Sequence, residues 1–344
     1  MLFDVLVVGG GINGTGIARD MAGRGLRVGL CEREDLASHT SSKSTKLLHG
    51  GLRYLEHFEF KLVREALMER DVLRGAAPHV VWPLRFVLPH HEALRSQWLI
   101  RLGLWLYDRL GGRTSLTPSM AINLQRDPSG NLLKRKFSRG FVYSDCWVED
   151  ARLVVLNAID AAQHGALIMP RTEMVSAVGQ GDLWKVTIHD RTRDESRIVY
   201  ARTIVNAAGP WVMDTLGRVA KTSTSKAVRL VAGSHFIVPR LYEHDDAYVF
   251  QNSDKRVVFA IPYEDNFTLI GTTEVDVKGE PSELRITRDE IAYLCRTLNE
   301  YFRRPVVEGE IVWSYTGVRA LFDDESKEAS AVSRDYVLEM SKPD

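Results

Sequence analysis

DVLVVGGGINGTGIARDMAGRGL, residues 4–26, decides how this chain folds. Leu2 to Val8 is short, β-branched and almost wholly apolar, the pattern of a strand buried in a parallel sheet. It runs directly into Gly9-Gly10-Gly11-Ile12-Asn13-Gly14, where Gly9, Gly11 and Gly14 match GxGxxG. Thr15 to Arg24 reads as a helix and Leu26 to Cys31 as a second strand, which ends at Glu32, 18 residues past Gly14. Gly9 permits the tight turn, Gly11 lets the backbone approach a pyrophosphate, and Gly14 lets the helix pack on the strand. The helix start presents free N–H groups and a positive dipole end to phosphate. A carboxylate at Glu32 accepts hydrogen bonds from ribose hydroxyls. GxGxxG alone is weak, and a purely structural glycine turn competes with it. The ordered series of strand, glycines, helix, strand and acid points to dinucleotide binding, with NAD or FAD favoured over NADP.

Around this stretch the composition is that of a globular α/β protein. The chain has 344 residues, long enough for two domains or one large unit with an insertion. Basic and acidic residues balance at 45 each, which removes electrostatic support for wholesale nucleic-acid binding. Cys31, Cys146 and Cys295 lie far apart and form no metal-ligand spacing. Such a sparse, odd set suggests reduced thiols in a cytosolic setting, and no metal site is expected. The start carries no charged n-region, and no run of about 18 uncharged apolar residues suggests a membrane span.

Two features favour FAD over NAD. After Glu32 an NAD dehydrogenase would continue with alternating helices and strands, whereas here Ser38, Thr40, Ser41, Ser42, Ser44 and Thr45 form a hydroxyl-rich run. Such a run can wrap a cofactor, although composition alone favours a solvated loop. Thr203 to Gly209, TIVNAAG, is a short strand ending in small residues, with Ala208 and Gly209 placed to lie beside a ligand. Ala166 to Ala177, including Val175, supplies a strand near the adenosine end. These pieces are far apart in sequence, as in a discontinuous flavin domain carrying an insertion.

Elsewhere, Phe58 to Arg74 looks helical with Phe58, Leu62, Ala66 and Leu73 or Val72 on its apolar face. Ser96 to Leu110 is a further helix, mixing Trp98, Leu102, Trp105 and Leu106 with Arg101 and Arg109. It suits either domain packing or an interfacial place on anionic lipid. Residues 229–275 alternate short β-branched or aromatic runs with polar turns, predicting an antiparallel sheet. Residues 281–303 predict a helix starting near Ser282 or Thr287.

Taken together, DVLVVGGGINGTGIARDMAGRGL, TSSKSTKLLHGGLRYLEHFEF, YSDCWVEDARLV, VNAAGPWV, NSDKRVVFAIPY, LIGTTEVD and WSYTGVRAL make the chain resemble the FAD-dependent aerobic (respiratory) glycerol-3-phosphate dehydrogenases. The resemblance runs to about residue 336. It implies a Rossmann-like FAD-binding domain of the glutathione reductase/D-amino-acid oxidase type with an inserted, mainly antiparallel substrate domain. The expected division is 1–85, 145–228 and 315–344 for FAD, with 86–144 and 229–314 as the substrate or cap domain. The implied reaction oxidises sn-glycerol 3-phosphate to dihydroxyacetone phosphate and passes electrons to a membrane quinone. The implied location is peripheral, on the inner face of the cytoplasmic membrane, and a homodimer is left open.

That chemistry gives roles to KLLHGGLRYLEHFEF, residues 46–60. Arg53 would grip the phosphate with its planar fork, helped by Tyr54 and by Arg319 of TGVRAL. Gly50 and Gly51 would bring backbone close to the isoalloxazine, and His49 would contact flavin or substrate. His235 is the preferred base, because imidazole titrates near neutrality, with His49 second. His57 reads as structural or exposed; Tyr263, Thr272 and Thr273 are further lining candidates. Members of the family continue into a further strand, a Gly-Gly-Lys turn and a helical C-terminal domain that this sequence lacks, so a truncated chain missing one active-site cation is expected. An oxidase using O₂ and an inactive FAD-binding fragment remain as alternatives, with an NAD dehydrogenase a distant third.

Overall fold

The computed structural model describes residues 1–92, 94–219, 227–252, 254, 256–277, 279–322 and 338–340. In chain order the strands are β1 (Leu2–Val8), β2 (Val28–Cys31), β3 (Leu47–Leu48), β4 (Val81–Pro89), β5 (Met120–Asn123), β6 (Arg139–Val148), β7 (Leu167–Met169), β8 (Thr172–Gln180), β9 (Leu183–Asp190), β10 (Glu195–Asn206), β11 (Val228–Pro239), β12 (Ala247–Gln251), β13 (Val257–Tyr263), β14 (Phe267–Gly271), β15 (Val275–Asp276) and β16 (Trp313–Phe322). The helices are α1 (Ile12–Gly23), α2 (Phe60–Ala76), α3 (Gln97–Leu110), α4 (Asp150–Gln163), α5 (Val212–Gly217) and α6 (Arg288–Tyr301).

The apolar run at the N-terminus becomes the middle of a six-stranded sheet ordered β7-β2-β1-β10-β9-β8. β1 pairs in parallel with β2 and β10, so the strand ends next to Gly9 and the TIVNAAG segment lie side by side. Burial on both faces explains the unbroken hydrophobicity of β1. One face packs Ala18 and Ala22 of α1 and Ala161 of α4 against Val5, Val7 and Leu30. The small residues of both helices permit that close approach.

The second sheet is antiparallel for the most part and runs β15-β11-β14-β13-β12-β4-β6-β3, with β16 on β11 and β5 on β6. One face carries a core with Phe236, Tyr248 and Phe250 against Leu294 and Leu298 of α6. The other buries Val63 and Leu67 of α2 and Leu104 and Tyr107 of α3 against Phe86, Phe141 and Tyr143. α6 starts at the second of its two expected positions, because Thr287 and Glu290 form a reciprocal capping box. β16 pairs with β11 along nearly its whole length, from Val228↔Phe322 to Ile237↔Trp313.

The sheets cut across the expected domain boundaries, and the apolar face expected of α2 is corrected. The boundaries at 85, 145 and 315 do not follow the sheets. Residues 47–48, 81–85, 145–148 and 315–322 all pair within the second sheet. Hydrogen-bond pairing, invisible in the local pattern, decides this. Most of the expected last cofactor segment, at 323–337 and 341–344, lies outside the described residues. The buried face of α2 is Val63, Leu67 and Arg70 rather than Phe58, Leu62 and Ala66; Phe58 is 77% exposed. An arginine on the inward face broke the apolar period, and its compensating partner sits on β6.

Candidate functional site

A cleft of about 640 Å³ is lined from both sheets. At the first-sheet end its surface is largely main chain. Gly9 holds φ +114°, and a Cβ there would collide with the Ala207 carbonyl; one on Gly14 would collide with the Gly9 carbonyl. Only glycine fits either position, so the β1–α1 turn follows from composition. Glu32, at the end of β2, accepts from the Gly10 N–H at 2.7 Å and from the Glu34 N–H at 2.8 Å. Ser41 Oγ accepts from the Ile12 N–H at 3.0 Å. A hydroxyl oxygen is thus seated on the first free amide of α1, in the place and with the chemistry of a phosphate oxygen. The cradle therefore fits a dinucleotide pyrophosphate. Thr40 Oγ1 donates to the Val318 carbonyl at 2.6 Å and ties this end to β16.

Of the residues expected around a cofactor, Gly9, Gly11, Glu32, Thr40, Ser41, His49, Gly51, Ala208 and Gly209 line the cleft. Gly14 lies beneath it as a packing residue. Three others are elsewhere. Ser42 donates to the His39 carbonyl at 3.1 Å and lies outside the lining. Val175 is 45% exposed on β8, while its neighbours Thr172, Glu173 and Met174 form the wall. Gly50 is needed for another reason than expected: a Cβ there would run into Leu67 and the Tyr107 hydroxyl, so it serves the contact with α2 and α3.

At the second-sheet end the lining is charged and aromatic. Arg53, Tyr54 and His49 come from the segment after β3, and Arg319 from β16, into the same cleft. Gly51 has φ +70°, and a Cβ on it would collide with the Tyr54 ring. Its N–H donates to His49 Nδ1 at 3.0 Å. His49 is exposed to the open cleft, yet desolvation by the cleft walls holds its imidazole below the usual value; Asp145 opposes this and Arg319 adds to it. Arg319 Nη1 lies 3.5 Å from Glu274 Oε1.

His235 is not brought into the cleft. It is 2% exposed, its ring stacks on Tyr315 at 4.9 Å, and the Gly271 backbone covers it closely. Its Nε2 pairs with Thr45 Oγ1 at 2.9 Å. Burial first, then Arg319 and Lys46, push its pKa down to about 3. A ring so placed braces Thr45, which does line the cleft, and is a poor base for a substrate hydroxyl. His57, read as structural or exposed, is exposed and also lines the cleft, and Thr272 lines it while Thr273 is buried. Asp145 and Glu274 are lining residues that sequence reasoning missed. Both stand inside stretches quoted for the resemblance, YSDCWVED and GTTEVD, but nothing in their spacing gave them a role. Among the described residues no cluster of His, Cys, Asp or Glu is arranged to hold a metal.

With this geometry in place, similarity to known proteins is informative. Residues 4–339 match the family model described as FAD dependent oxidoreductase. The chain is 52% identical over 339 residues to D-erythritol 1-phosphate dehydrogenase of Brucella abortus, covering 98% of this chain and 68% of that protein. It is 54% identical over 340 residues to a glycerol-3-phosphate dehydrogenase of Pseudomonas aeruginosa, covering 99% and 66%. The structure of the glycerol-3-phosphate dehydrogenase from Bacillus halodurans complexed with FAD superposes with a TM-score of 0.75 at 29% identity, over 94% of this chain and 58% of that one. The chain thus spans about two thirds of the length of these curated relatives.

Proposed function

The chain belongs to the FAD-dependent oxidoreductase family, and from that premise we propose that it oxidises the secondary alcohol of a phosphorylated polyol, sn-glycerol 3-phosphate in the first place. The observation that carries this reading is the pair Arg53 and Arg319, delivered from opposite ends of the chain into the cleft that begins at the glycine cradle. Two guanidinium groups suit a phosphate dianion, and each charge-assisted hydrogen bond to it contributes about 1.5–3 kcal/mol. The identities to glycerol-3-phosphate dehydrogenases support the substrate class. The relative named for D-erythritol 1-phosphate favours a second substrate of the same chemistry, with a longer polyol.

The cofactor's place follows the fit of its pyrophosphate to the Gly9–Gly14 turn, with Glu32 on the ribose. Bound FAD supplies the two-electron acceptor for the hydrogen that leaves the alcohol carbon. The protein's own groups do the rest. Arg53 and Arg319 anchor the phosphate, and Tyr54 donates a further hydrogen bond. His49, neutral at physiological pH, hydrogen-bonds the hydroxyl oxygen and orients the carbon–hydrogen bond, while the hydroxyl proton passes to the Glu274 carboxylate that lines the same cleft. Functionally, the six-stranded sheet is the cofactor domain and the second sheet the substrate domain.

A membrane quinone is the proposed final acceptor. No helix among the described residues is long and apolar enough to cross a membrane. α3, however, leaves Trp98, Leu102 and Trp105 at 69%, 51% and 51% exposure, the kind of face that settles at a headgroup layer. Anaerobic addition of glycerol 3-phosphate or D-erythritol 1-phosphate to FAD-loaded protein is expected to bleach the oxidised flavin band. Flavin that stays oxidised with both removes the reading. Subsequent addition of a quinone analogue or O₂ separates dehydrogenase from oxidase. Arg53→Ala is expected to weaken reduction by about 10- to 100-fold while sparing FAD affinity; equal loss of both would deny it a substrate role.

A further inference from the structure

We propose that Asp145 and Tyr107, backed by Arg70, form a positioning device that fixes the His49-Gly50-Gly51 turn and thereby decides which nitrogen of His49 carries its proton. The inference rests on the assignment of His49 to the polyol-oxidising site. Arg70, Tyr107 and Asp145 are 5%, 2% and 2% exposed and arrive from α2, α3 and β6 respectively. A buried ion pair is costly unless its remaining lone pairs and protons are used. Here Arg70 Nη1 donates to Asp145 Oδ1 at 2.7 Å, and the Tyr107 hydroxyl donates to the same carboxylate at 2.8 Å. The Gly50 N–H adds a further donor, to Tyr107 Oη at 2.8 Å and more weakly to Asp145 Oδ1 at 3.3 Å, while Arg70 Nε stays without a hydrogen-bond partner. Glycine is required there, because Leu67 and the Tyr107 hydroxyl leave no room for a Cβ. The device also reaches the cleft, since Asp145 lines it.

The effect passes one residue further. With Gly50 held from behind, Gly51 takes φ +70° and aims its N–H at His49 Nδ1. That bond needs the lone pair on Nδ1, so the neutral ring carries its proton on Nε2. The imidazolium is disfavoured, because two N–H groups would then face each other. Desolvation by the cleft walls and Arg319 push in the same direction, and Asp145 is the charge acting against them. The turn therefore converts a side chain able to hold its proton on either nitrogen into a fixed Nε2–H donor at the substrate end of the cleft.

The test is ¹⁵N NMR of the histidine rings in the FAD-loaded protein, with His49 assigned by the signal lost in His49→Gln. The expected result is protonated Nε2 and unprotonated Nδ1 in the parent protein. Tyr107→Phe, which keeps the ring, is expected to replace this single tautomer by a mixture. It should also slow flavin reduction by about 10- to 100-fold, through kcat more than KM. The charge-free pair Arg70→Gln with Asp145→Asn should do the same and lower the pH midpoint of His49, since the opposing carboxylate is gone. A parent protein with its proton on Nδ1 overturns the proposal without recourse to any variant. So do His49 signals that both variants leave unchanged. The ring signals need no substrate, so a parent protein that oxidises neither polyol phosphate would fail the functional reading alone.

Discussion

At the β1–α1 end of the cleft the surface is backbone, shaped by glycines that meet carbonyls a few residues or one strand away. At the second-sheet end it is side chains, held by partners far off in sequence: Asp145 by Arg70 behind it, Thr45 by the buried His235, Arg319 by Glu274. The contrast matches what each end must do. A pyrophosphate is held well by amides and a helix dipole, which are present wherever a strand turns into a helix. A phosphorylated alcohol needs full charges and an oriented imidazole, and charges at depth stand only when a network holds them.

The largest test of this contrast is Asp145→Ala. It removes the nearer of the two carboxylates that pair with buried Arg70, leaving Asp71 at 3.4 Å, and should cost about 3–5 kcal/mol in urea denaturation of the FAD-loaded protein. A loss under 1 kcal/mol would mean that the network does not hold this end together. Next comes Gly14→Ala, at the other end. Its methyl meets the Gly9 carbonyl, so about 1–3 kcal/mol of overpacking and a clear loss of FAD affinity are expected in melting and flavin titration. Unchanged FAD binding would show that the turn is not the cradle.

The smallest effect per step is in pH dependence. The folded His235 has a pKa of about 3 against an ordinary 6.5, so between these values the unfolded chain binds a proton that the folded one refuses. Stability from this group is complete above pH 6.5 and declines as the pH falls toward 3. His235→Gln should flatten that decline by up to about 1.4 kcal/mol per pH unit, read from denaturation at several pH values. An identical slope in the variant would mean that His235 is already accessible to protons, and would return it to consideration as a base.

Much of the first end was legible in the residues themselves. β1, the glycine turn, α1 and Glu32 appear where the motif places them, because each is dictated by neighbours within about thirty positions. The four antiparallel strands between 228 and 271 were legible for the same reason. At the second end, Arg53, Tyr54 and Arg319 line the cleft. The apolar face of α2 was read as Phe58, Leu62 and Ala66, because the true inward face carries Arg70, and Asp145, 75 residues away, is what makes its burial tolerable. His235 looked like a base because a histidine's ordinary pKa sits near neutrality, and only the packing of Tyr315 and Gly271 about it reveals otherwise.

By itself, then, the sequence determined the dinucleotide cradle, the two kinds of sheet and the arginines available for an anion, since these rest on short-range sterics and fixed charge. Tertiary structure alone decided which strands join which sheet, which histidine meets the cleft and in which tautomer. Those outcomes depend on desolvation and on hydrogen bonds between residues that become neighbours only when the chain has folded.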